Sequence, residues 1–165
     1  GRIRAERALD AAILPEVSCV TLFDVLEHLE DDAGFLKMLA GGLPRGAVLL
    51  ITVPAGSRLY GEHDRRLRHF RRYDRADLAA VLERSGLEVL ECRSFFCSLY
   101  PVRLLELARG SAGGGIGGGA ISPGWLNALL HRLFYCEAVL EGVPAACGLH
   151  LPGLSLEAVC RISVS

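Results

Sequence analysis

The chain has 165 residues, of which 51% are hydrophobic and 22% are charged, and its formal net charge is −1. This composition excludes a disordered protein, and the length suits one hydrophobic core rather than two ordinary domains. A nearly neutral chain has no overall field that attracts a polyanion, so we expect no nucleic-acid partner.

Two buried strands that flank one helix are predicted within residues 17–55. Residues 17–23 are an apolar run rich in β-branched residues, which favours a strand buried on both faces. Asp31 and Asp32 then suit a helix N-terminus, and leucines at helical spacing follow up to a Pro-Arg-Gly breaker. Residues 47–55 are a second apolar run, so the three elements predict a right-handed βαβ unit in a parallel sheet.

Polar side chains collect where these two strands end. Asp24, Glu27 and His28 follow the first strand, and a long loop follows the second. Ligands of parallel sheets bind beyond the carboxyl ends of the strands, so we expect the functional site there. Seven of the 18 basic residues lie between Arg58 and Arg75, which would let this loop attract an anion. The loop has no periodic apolar pattern, which predicts irregular structure.

The rest of the chain alternates helices and strands, which completes an α/β pattern. Six further segments are predicted, in this order: a helix over 75–85 capped by Asp74, a strand over 87–92, an apolar helix over 94–108, a flexible Gly-rich linker over 110–120, an apolar helix over 125–143, and a strand over 154–164. Helices that are apolar on most sides are buried, pair with a partner or touch lipid. They would therefore allow a homodimer or a peripheral contact with lipid.

Three motifs together resemble a known family: Asp24-Val-Leu-Glu-His28 after the first strand, Thr52-Val-Pro-Ala55 at the end of the second, and His69-Phe-Arg-Arg-Tyr73 in the loop. They are similar to the class I S-adenosylmethionine (SAM) dependent methyltransferases, in particular to bacterial methyltransferase-domain proteins distantly similar to the ubiquinone-biosynthesis O-methyltransferase. The resemblance implies a Rossmann-like, mostly parallel sheet whose last strand is antiparallel, with apolar helices inserted before that strand. It also implies an enzyme whose cofactor is S-adenosyl-L-methionine.

The resemblance further implies which part of the fold is present. The strand over residues 17–23 corresponds to the fourth of seven, and the Gly-rich SAM loop has no counterpart, so we expect the C-terminal part of a methyltransferase domain. This partial domain divides into a remnant N-terminal segment at 1–16, a core at 17–93, a helical insertion at 94–153 and a final strand at 154–165. We expect the truncated chain to be inactive by itself.

The site residues are predicted from the chemistry of methyl transfer and from the resemblance. Displacement at a sulfonium needs an aligned acceptor and, for a hydroxyl acceptor, a base, and His28 is placed to be that base. The resemblance assigns cofactor contacts, mainly through the backbone, to Leu22, Phe23 and Asp24. A small acceptor of apolar or anionic character is assigned to the loop residues His63, Asp64, His69, Arg71, Arg72 and Tyr73.

Some of these residues have a structural alternative. His28 could cap a helix or fill the wall of the SAM pocket. The arginines could bind a phosphate or carboxylate, but Arg71 or Arg72 could equally pair with a carboxylate such as Asp64 and pin the loop. The sequence leaves both alternatives open.

A metal site is also conceivable at the turn after the first strand. Asp24, Glu27 and His28 have i, i+3, i+4 spacing, so on a helical turn they would suit a divalent ion, and the resemblance permits this. Carboxylates that bind backbone amides at a helix start are favoured instead, so no metal is assigned. A metal hydrolase built on the histidines of this region is weaker still, because no helix carries two of them at ligand spacing.

Two classes of function therefore compete. The chain is either part of a methyltransferase or a non-catalytic interaction module, such as a degenerate methyltransferase remnant, and binding of the cofactor separates the two. The six cysteines form no Cys-x-x-Cys pair, and no apolar signal core or bilayer-spanning run is found. These features favour a cytoplasmic protein.

Overall fold

The computed structural model describes residues 11–108, 124–140 and 151–163. These residues form the strands β1 Cys19–Phe23, β2 Val48–Pro54, β3 Leu87–Phe95 and β4 Ser155–Ile162. They form the helices α1 Asp32–Gly42, α2 Glu62–Arg66, α3 Arg75–Arg84, α4 Tyr100–Ala108 and α5 Gly124–Leu140. Short 3-10 helices lie at Ala11–Glu16, Leu26–His28, Ser57–Leu59 and Cys97–Leu99. The predicted Gly-rich linker over 110–120 and most of the predicted N-terminal segment lie outside the described residues.

The strands form one sheet in the order β1-β2-β4-β3. β1 and β2 are parallel neighbours, whereas β4 runs antiparallel to both β2 and β3. β1, β2 and β3 therefore point the same way, and only β4 is reversed. This topology confirms the predicted α/β class, with a mostly parallel strand direction, an antiparallel last strand and helices inserted before it.

One face of the sheet carries the hydrophobic core. Leu49, Ile51 and Val53 of β2 are completely buried, because alternate side chains of a strand point to the same face. Leu36 of α1 and Leu82 of α3 belong to the same buried cluster, and these two helices touch each other. Both helices therefore cover the same face, and each large side chain buried there contributes about 1.5–3 kcal/mol.

The opposite face of the sheet is less buried in the described part of the chain. β1 exposes Cys19, Thr21 and Phe23. On the same side, Arg161 of β4 pairs at 2.8 Å with Glu88, which lies directly opposite on β3. The prediction that the first strand is buried on both faces is therefore wrong, because β1 ends the strand order and the described helices cover only one of its faces.

The loop after β2 is more regular than predicted. It contains the 3-10 helix Ser57–Leu59 and the short helix α2, neither of which has an apolar repeat long enough to read from sequence. Asp74 stands at the N-cap position of α3 but makes no side-chain capping bond. Its carboxylate instead accepts hydrogen bonds from the Ser57 amide at 3.1 Å and from the Ser57 hydroxyl at 2.5 Å. The predicted N-cap position of Asp74 is thus confirmed, but its side chain makes no capping bond, because Ser57 of the loop binds the carboxylate.

The segment after β3 becomes helical later than predicted. Residues up to Phe95 remain in β3, because they pair with β4. Phe96 then turns the chain with a φ of 57°, and α4 begins only at Tyr100 instead of at residue 94. Pairing across the sheet therefore overrides the local apolar pattern, as tertiary context often does for strands.

The helices between β3 and β4 expose apolar side chains. Those at least one-third exposed are Val102, Leu104 and Leu105 of α4, and Leu129, Leu133, Tyr135 and Val139 of α5. Glu137 anchors α5, because its carboxylate accepts hydrogen bonds from the amides of Cys97 and Ser98. Among the described residues, the helices are too short or too polar for a membrane crossing.

Candidate functional site

The turn after β1 is tied to the end of β2. Asp24 has a φ of 52°, a left-handed conformation that Asp adopts more readily than most residues. Its amide donates to the Thr52 carbonyl at 3.0 Å, and the Thr52 hydroxyl donates to the Asp24 carboxylate at 3.3 Å. The predicted cofactor contacts lie at this corner. Phe23 and Asp24 are exposed there, whereas the Leu22 side chain is in the core, so Leu22 can offer a ligand only its backbone.

Glu27 carries a buried carboxyl group without a hydrogen-bond partner. Its exposed fraction is 0%, and neither carboxyl oxygen has a hydrogen-bond partner among the described residues. Burial raises the pKa of the Glu27 side chain above its usual value. The Glu27 backbone carbonyl accepts a hydrogen bond from the Phe70 amide at 2.7 Å, which brings the loop after β2 against this turn.

Asp64 binds three other residues of the loop after β2. Its fully buried carboxylate accepts hydrogen bonds from the Gly61 amide at 2.9 Å, from His69 Nδ1 at 3.2 Å and from Arg72 Nε at 2.7 Å. Burial raises the pKa of Asp64, but the Gly61 amide and the Arg72 guanidinium outweigh burial and hold the pKa below its usual value. Arg72 also donates to the Ala55 carbonyl at 3.1 Å, so it joins the two ends of the loop.

Asp32 attaches the same loop to α1. Its carboxylate accepts a hydrogen bond from the Tyr73 hydroxyl at 2.6 Å and pairs with Arg71 at 3.0 Å. Burial and then the hydrogen bond to Asp32 raise the pKa of Tyr73, so the phenol stays protonated. Asp31 is the residue whose carboxylate caps α1, as predicted for this acidic pair. The start of α1 therefore serves both as a helix end and as an anchor for the loop.

The six residues predicted to bind an acceptor fall into two groups. Asp64, Arg71, Arg72 and Tyr73 form the two attachments just described, which is the pinning role that the sequence left open for the arginines. His63 is exposed on α2. His69 is partly buried and meets His28 edge to face, with ring centroids 4.7 Å apart and ring planes at 81°. The fold thus brings His69, and not His63, to the candidate base His28.

Three side chains that could bind a metal lie close together, and sequence spacing could not predict this cluster. One possible ligand atom from each of Glu27, His28 and His69 lies within 4.8 Å of the others. Asp24 is not part of this group, and its carboxylate accepts the Thr52 hydroxyl instead. The prediction that Asp24 could face one point together with Glu27 and His28 is therefore wrong. The backbone is left-handed at Asp24, and the 3-10 helix runs only from Leu26 to His28. The sequence singled out His69 through the His69-Phe-Arg-Arg-Tyr73 motif and its place in the loop after β2, but it gave no signal that His69 approaches Glu27 and His28.

The fold and the site define an α/β protein of Rossmann-like type, with polar residues beyond the carboxyl ends of two parallel strands. The family model of the methyltransferase domain matches residues 6–92, which is more than half of the chain. The chain therefore belongs to this methyltransferase domain family. The resemblance to class I methyltransferases is confirmed, while the finer likeness to the ubiquinone-biosynthesis enzyme stays a prediction. No curated protein gives a significant match to the sequence.

Several solved structures are similar to this chain at low sequence identity. A candidate methyltransferase from Bacillus halodurans is 16% identical with a TM-score of 0.50, over 94% of this chain and 70% of that one. Phosphoethanolamine N-methyltransferase 2 of Haemonchus contortus, in complex with S-adenosyl-L-methionine, is 13% identical with a TM-score of 0.49, over 88% of this chain and 33% of that one. A candidate sarcosine dimethylglycine methyltransferase from Galdieria sulphuraria is 16% identical with a TM-score of 0.49, over 93% and 57% of the two chains. The likeness to the first of these structures concerns the fold alone, and this chain spans less than two thirds of the length of the other two.

Proposed function

We propose that this chain is the C-terminal part of a SAM-dependent methyltransferase that transfers a methyl group to a small acceptor of apolar or anionic character. The match of residues 6–92 to the methyltransferase domain family carries the proposal. It is supported by the polar residues that meet beyond the parallel ends of β1 and β2, where ligands of such sheets bind. Among residues 11–108, 124–140 and 151–163, which the structure describes, no strand is followed by a Gly-rich loop that could bind SAM, so we propose that another part of the protein supplies it.

The cofactor would contact the corner formed by Leu22, Phe23 and Asp24. The hydrogen bonds between Asp24 and Thr52 hold the backbone of this corner in one conformation. Phe23 is 60% exposed, so its ring offers an apolar surface beside that backbone. A corner fixed before binding loses little entropy when a ligand arrives, which favours affinity.

His28 is the proposed general base for a hydroxyl acceptor. Its imidazole is exposed, so an acceptor can reach it, and histidine is the side chain that most often transfers protons in enzymes. The acceptor would lie against the loop after β2, where His63 and His69 are proposed to contact it. Asp64 orients His69 by accepting its Nδ1–H, and the two arginines and Tyr73 hold the loop in place.

Calorimetry with S-adenosylhomocysteine tests the cofactor part of the proposal. We expect no appreciable binding to this chain and a dissociation constant in the micromolar range for the full product of its gene. The difference would arise because the Gly-rich loop is supplied from outside the chain. A full gene product that does not bind S-adenosylhomocysteine would refute the methyltransferase assignment.

The role of His28 is tested by His28→Gln in the full gene product, with His131→Gln on the exposed surface of α5 as the matched control. We expect methyl transfer from labelled SAM to a panel of small hydroxylated compounds to fall about 10²–10⁴-fold for the first variant only. Affinity for S-adenosylhomocysteine should change little. Equal turnover of the two variants would show that His28 is not the base.

A non-catalytic interaction module is the second candidate, and the exposed apolar side chains of α4 and α5 favour it. Such a module would retain the fold but would bind no cofactor even in the full gene product. The same apolar side chains are compatible with a prenylated or lipid-like acceptor, with a peripheral lipid contact or with a homodimer. A cytoplasmic location stays a prediction of the sequence.

A further inference from the structure

Two exposed arginines of the loop after β2, Arg65 and Arg68, pair with no carboxylate among the residues that the structure describes. The consecutive Arg71 and Arg72 are different, because buried carboxylates already hold both of them. The attraction for an anion that the sequence predicts for this loop therefore falls to the arginines that stay exposed.

The backbone at Arg68 has an unusual conformation for its residue type. Its φ is 60°, which lies in the left-handed region. The Arg68 amide donates to the Arg65 carbonyl at 3.1 Å, and the His69 amide donates to the Asp64 carbonyl at 2.9 Å. These two hydrogen bonds form a Schellman motif at the end of α2, and Arg68 stands at the position that such motifs usually give to glycine.

This conformation costs free energy that a glycine at the same position would not cost. The Arg68 side chain is exposed, so its burial does not offset that cost. Residues held in sparsely populated backbone conformations collect at binding sites, where the side chain serves a ligand. The strain at Arg68 therefore points to a ligand for its guanidinium group.

Both arginines are connected to the pair of histidines in the candidate site. Arg68 directly precedes His69, whose ring meets that of His28 with centroids 4.7 Å apart. The Tyr60 hydroxyl donates to the His69 carbonyl at 2.8 Å, and the Arg65 guanidinium carbon lies 5.8 Å from the centroid of the Tyr60 ring. An anionic group of an acceptor bound at His28 would therefore lie near two cations.

The acidic residues of α2 do not compete for these cations. Glu62 pairs with Arg66 at 3.3 Å, and the buried Asp64 pairs with Arg72 at 2.7 Å. A guanidinium group offers its N–H donors in a planar fork that matches the oxygens of a phosphate or a carboxylate. Two such groups balance the charge of a phosphate dianion, whereas a carboxylate needs only one.

We propose that Arg65 and Arg68 bind an anionic group of the acceptor, a phosphate or a carboxylate, next to the candidate base His28. The inference rests on the proposed function and deepens it, because it selects the anionic acceptors from the broader class. It also gives the anion to other arginines than Arg71 and Arg72, which the sequence singled out.

Nuclear magnetic resonance titration of the full gene product with inorganic phosphate and, separately, with acetate tests the proposal at constant ionic strength. We expect saturable shifts of the backbone amides of residues 65–69 and of the Arg68 side chain, with a dissociation constant in the millimolar range. Phosphate should bind more tightly, because two cations face a dianion. Tighter binding of acetate would instead support a carboxylate as the anionic group.

Arg68→Gly separates the anion contact from the fold. It should weaken phosphate binding about 10–100-fold, which is the contribution of one hydrogen bond to a charged group. It should also shift urea unfolding to higher urea concentration, because glycine adopts the left-handed conformation without strain. Arg68→Asn, which also suits this position, should weaken binding by a similar factor. Arg65→Gln should weaken binding as well, but without the gain in stability.

Arg84→Gln is the matched control. Arg84 is also an exposed arginine, but it ends α3 just before β3 begins, at the edge of the sheet opposite to the candidate site. This variant should bind phosphate within about twofold of the unchanged protein. A loss as large as that of Arg68→Gly would mean that phosphate responds only to overall charge.

Three further results would overturn the inference. They are an absence of saturable binding of either anion, full phosphate affinity in Arg68→Gly, and a shift of Arg68→Gly to lower urea concentration, which would show that the side chain supports the fold. Calorimetry with S-adenosylhomocysteine keeps the two proposals distinguishable. If the cofactor product binds and neither anion does, only the acceptor inference fails, whereas phosphate binding without cofactor binding refutes the methyltransferase assignment and the acceptor role together.

Discussion

Two consecutive arginines, Arg71 and Arg72, each pair with a carboxylate, and they do so on opposite sides of one short segment. Arg71 pairs with Asp32 at the start of α1, and Arg72 pairs with Asp64 inside the loop. Tyr73 forms a parallel bridge with Ala55, so this stretch is extended, and neighbouring side chains of an extended chain point to opposite sides. The sequence suggested Asp64 as a partner for one of the two arginines, but not which arginine pairs with it or that Asp32 pairs with the other, because partner choice depends on this alternation.

Arg72→Ala should be strongly destabilising. The side chain is 9% exposed, and its removal leaves the buried Asp64 carboxylate without its charged partner. We expect a loss of about 3–5 kcal/mol in the free energy of unfolding, measured by urea titration. Arg161→Ala, which breaks an exposed pair with Glu88 on the sheet, should lose no more than about 1 kcal/mol. Similar losses in both variants would contradict the central role of Asp64.

Tyr73 should make stability depend on alkaline pH. Its pKa is raised in the folded protein, so above pH 10.0, the reference value for the phenol, only the unfolded chain loses this proton readily. Ionisation then favours unfolding, and stability falls as the pH rises above that value. Tyr73→Phe should remove this part of the decline, although it lowers stability near neutral pH by loss of the bond to Asp32. Parallel curves of stability against pH for the two proteins would refute the assignment.

At the scale of whole elements, apolar pattern and caps were sufficient to predict those helices and strands whose structure depends on local sequence. The βαβ unit, the Asp31 cap and α3 were predicted from periodicity and helix signals, which are local, whereas the antiparallel direction of the last strand was implied by the family resemblance. The incorrect predictions concern positions where contact with a residue distant in sequence determines the local structure. β4 keeps residues up to Phe95 in a strand, and Ser57 takes the Asp74 carboxylate from α3. The candidate site shows the same difference between local and distant contacts. The residues of the turn after β1 were predicted, but the contact of His69 with His28 was not.

Two glycines give a matched test of how closely the elements pack. A Cβ added at Gly153 would lie 2.3 Å from the Phe95 carbonyl oxygen, whereas one added at Gly41 in α1 meets nothing within 4 Å. Gly153→Ala should therefore lower the free energy of unfolding by about 1–3 kcal/mol, because backbone must shift where β3 and β4 meet. Gly41→Ala should raise it by roughly 0.5–1 kcal/mol through helix propensity. Urea titration of both variants measures the effects, and a stabilised Gly153→Ala would contradict the contact.

For the whole molecule, the exposed apolar side chains of α4 predict binding to lipid. Simultaneous replacement of Leu104 and Leu105 by Glu should weaken co-sedimentation with liposomes at least about tenfold, since each leucine buried in lipid is worth about 1.5–3 kcal/mol. Leu67→Glu, which alters an exposed leucine beside α2, is the control and should bind like the unchanged chain. If the unchanged chain does not co-sediment, the lipid contact is refuted, and a dimer measured by ultracentrifugation would become the favoured role for these residues.

The position of β1 in the sheet has a consequence for how the molecule meets other polypeptides. Only one side of its backbone is paired, with β2, within the part of the chain that the structure describes. The other side presents amide and carbonyl groups in a regular row, which is a template for one more extended segment. A strand contributed by the same gene product would complete the sheet and shield the template. A strand contributed by a second molecule would instead begin an aggregate, so solubility should depend on what lies alongside β1.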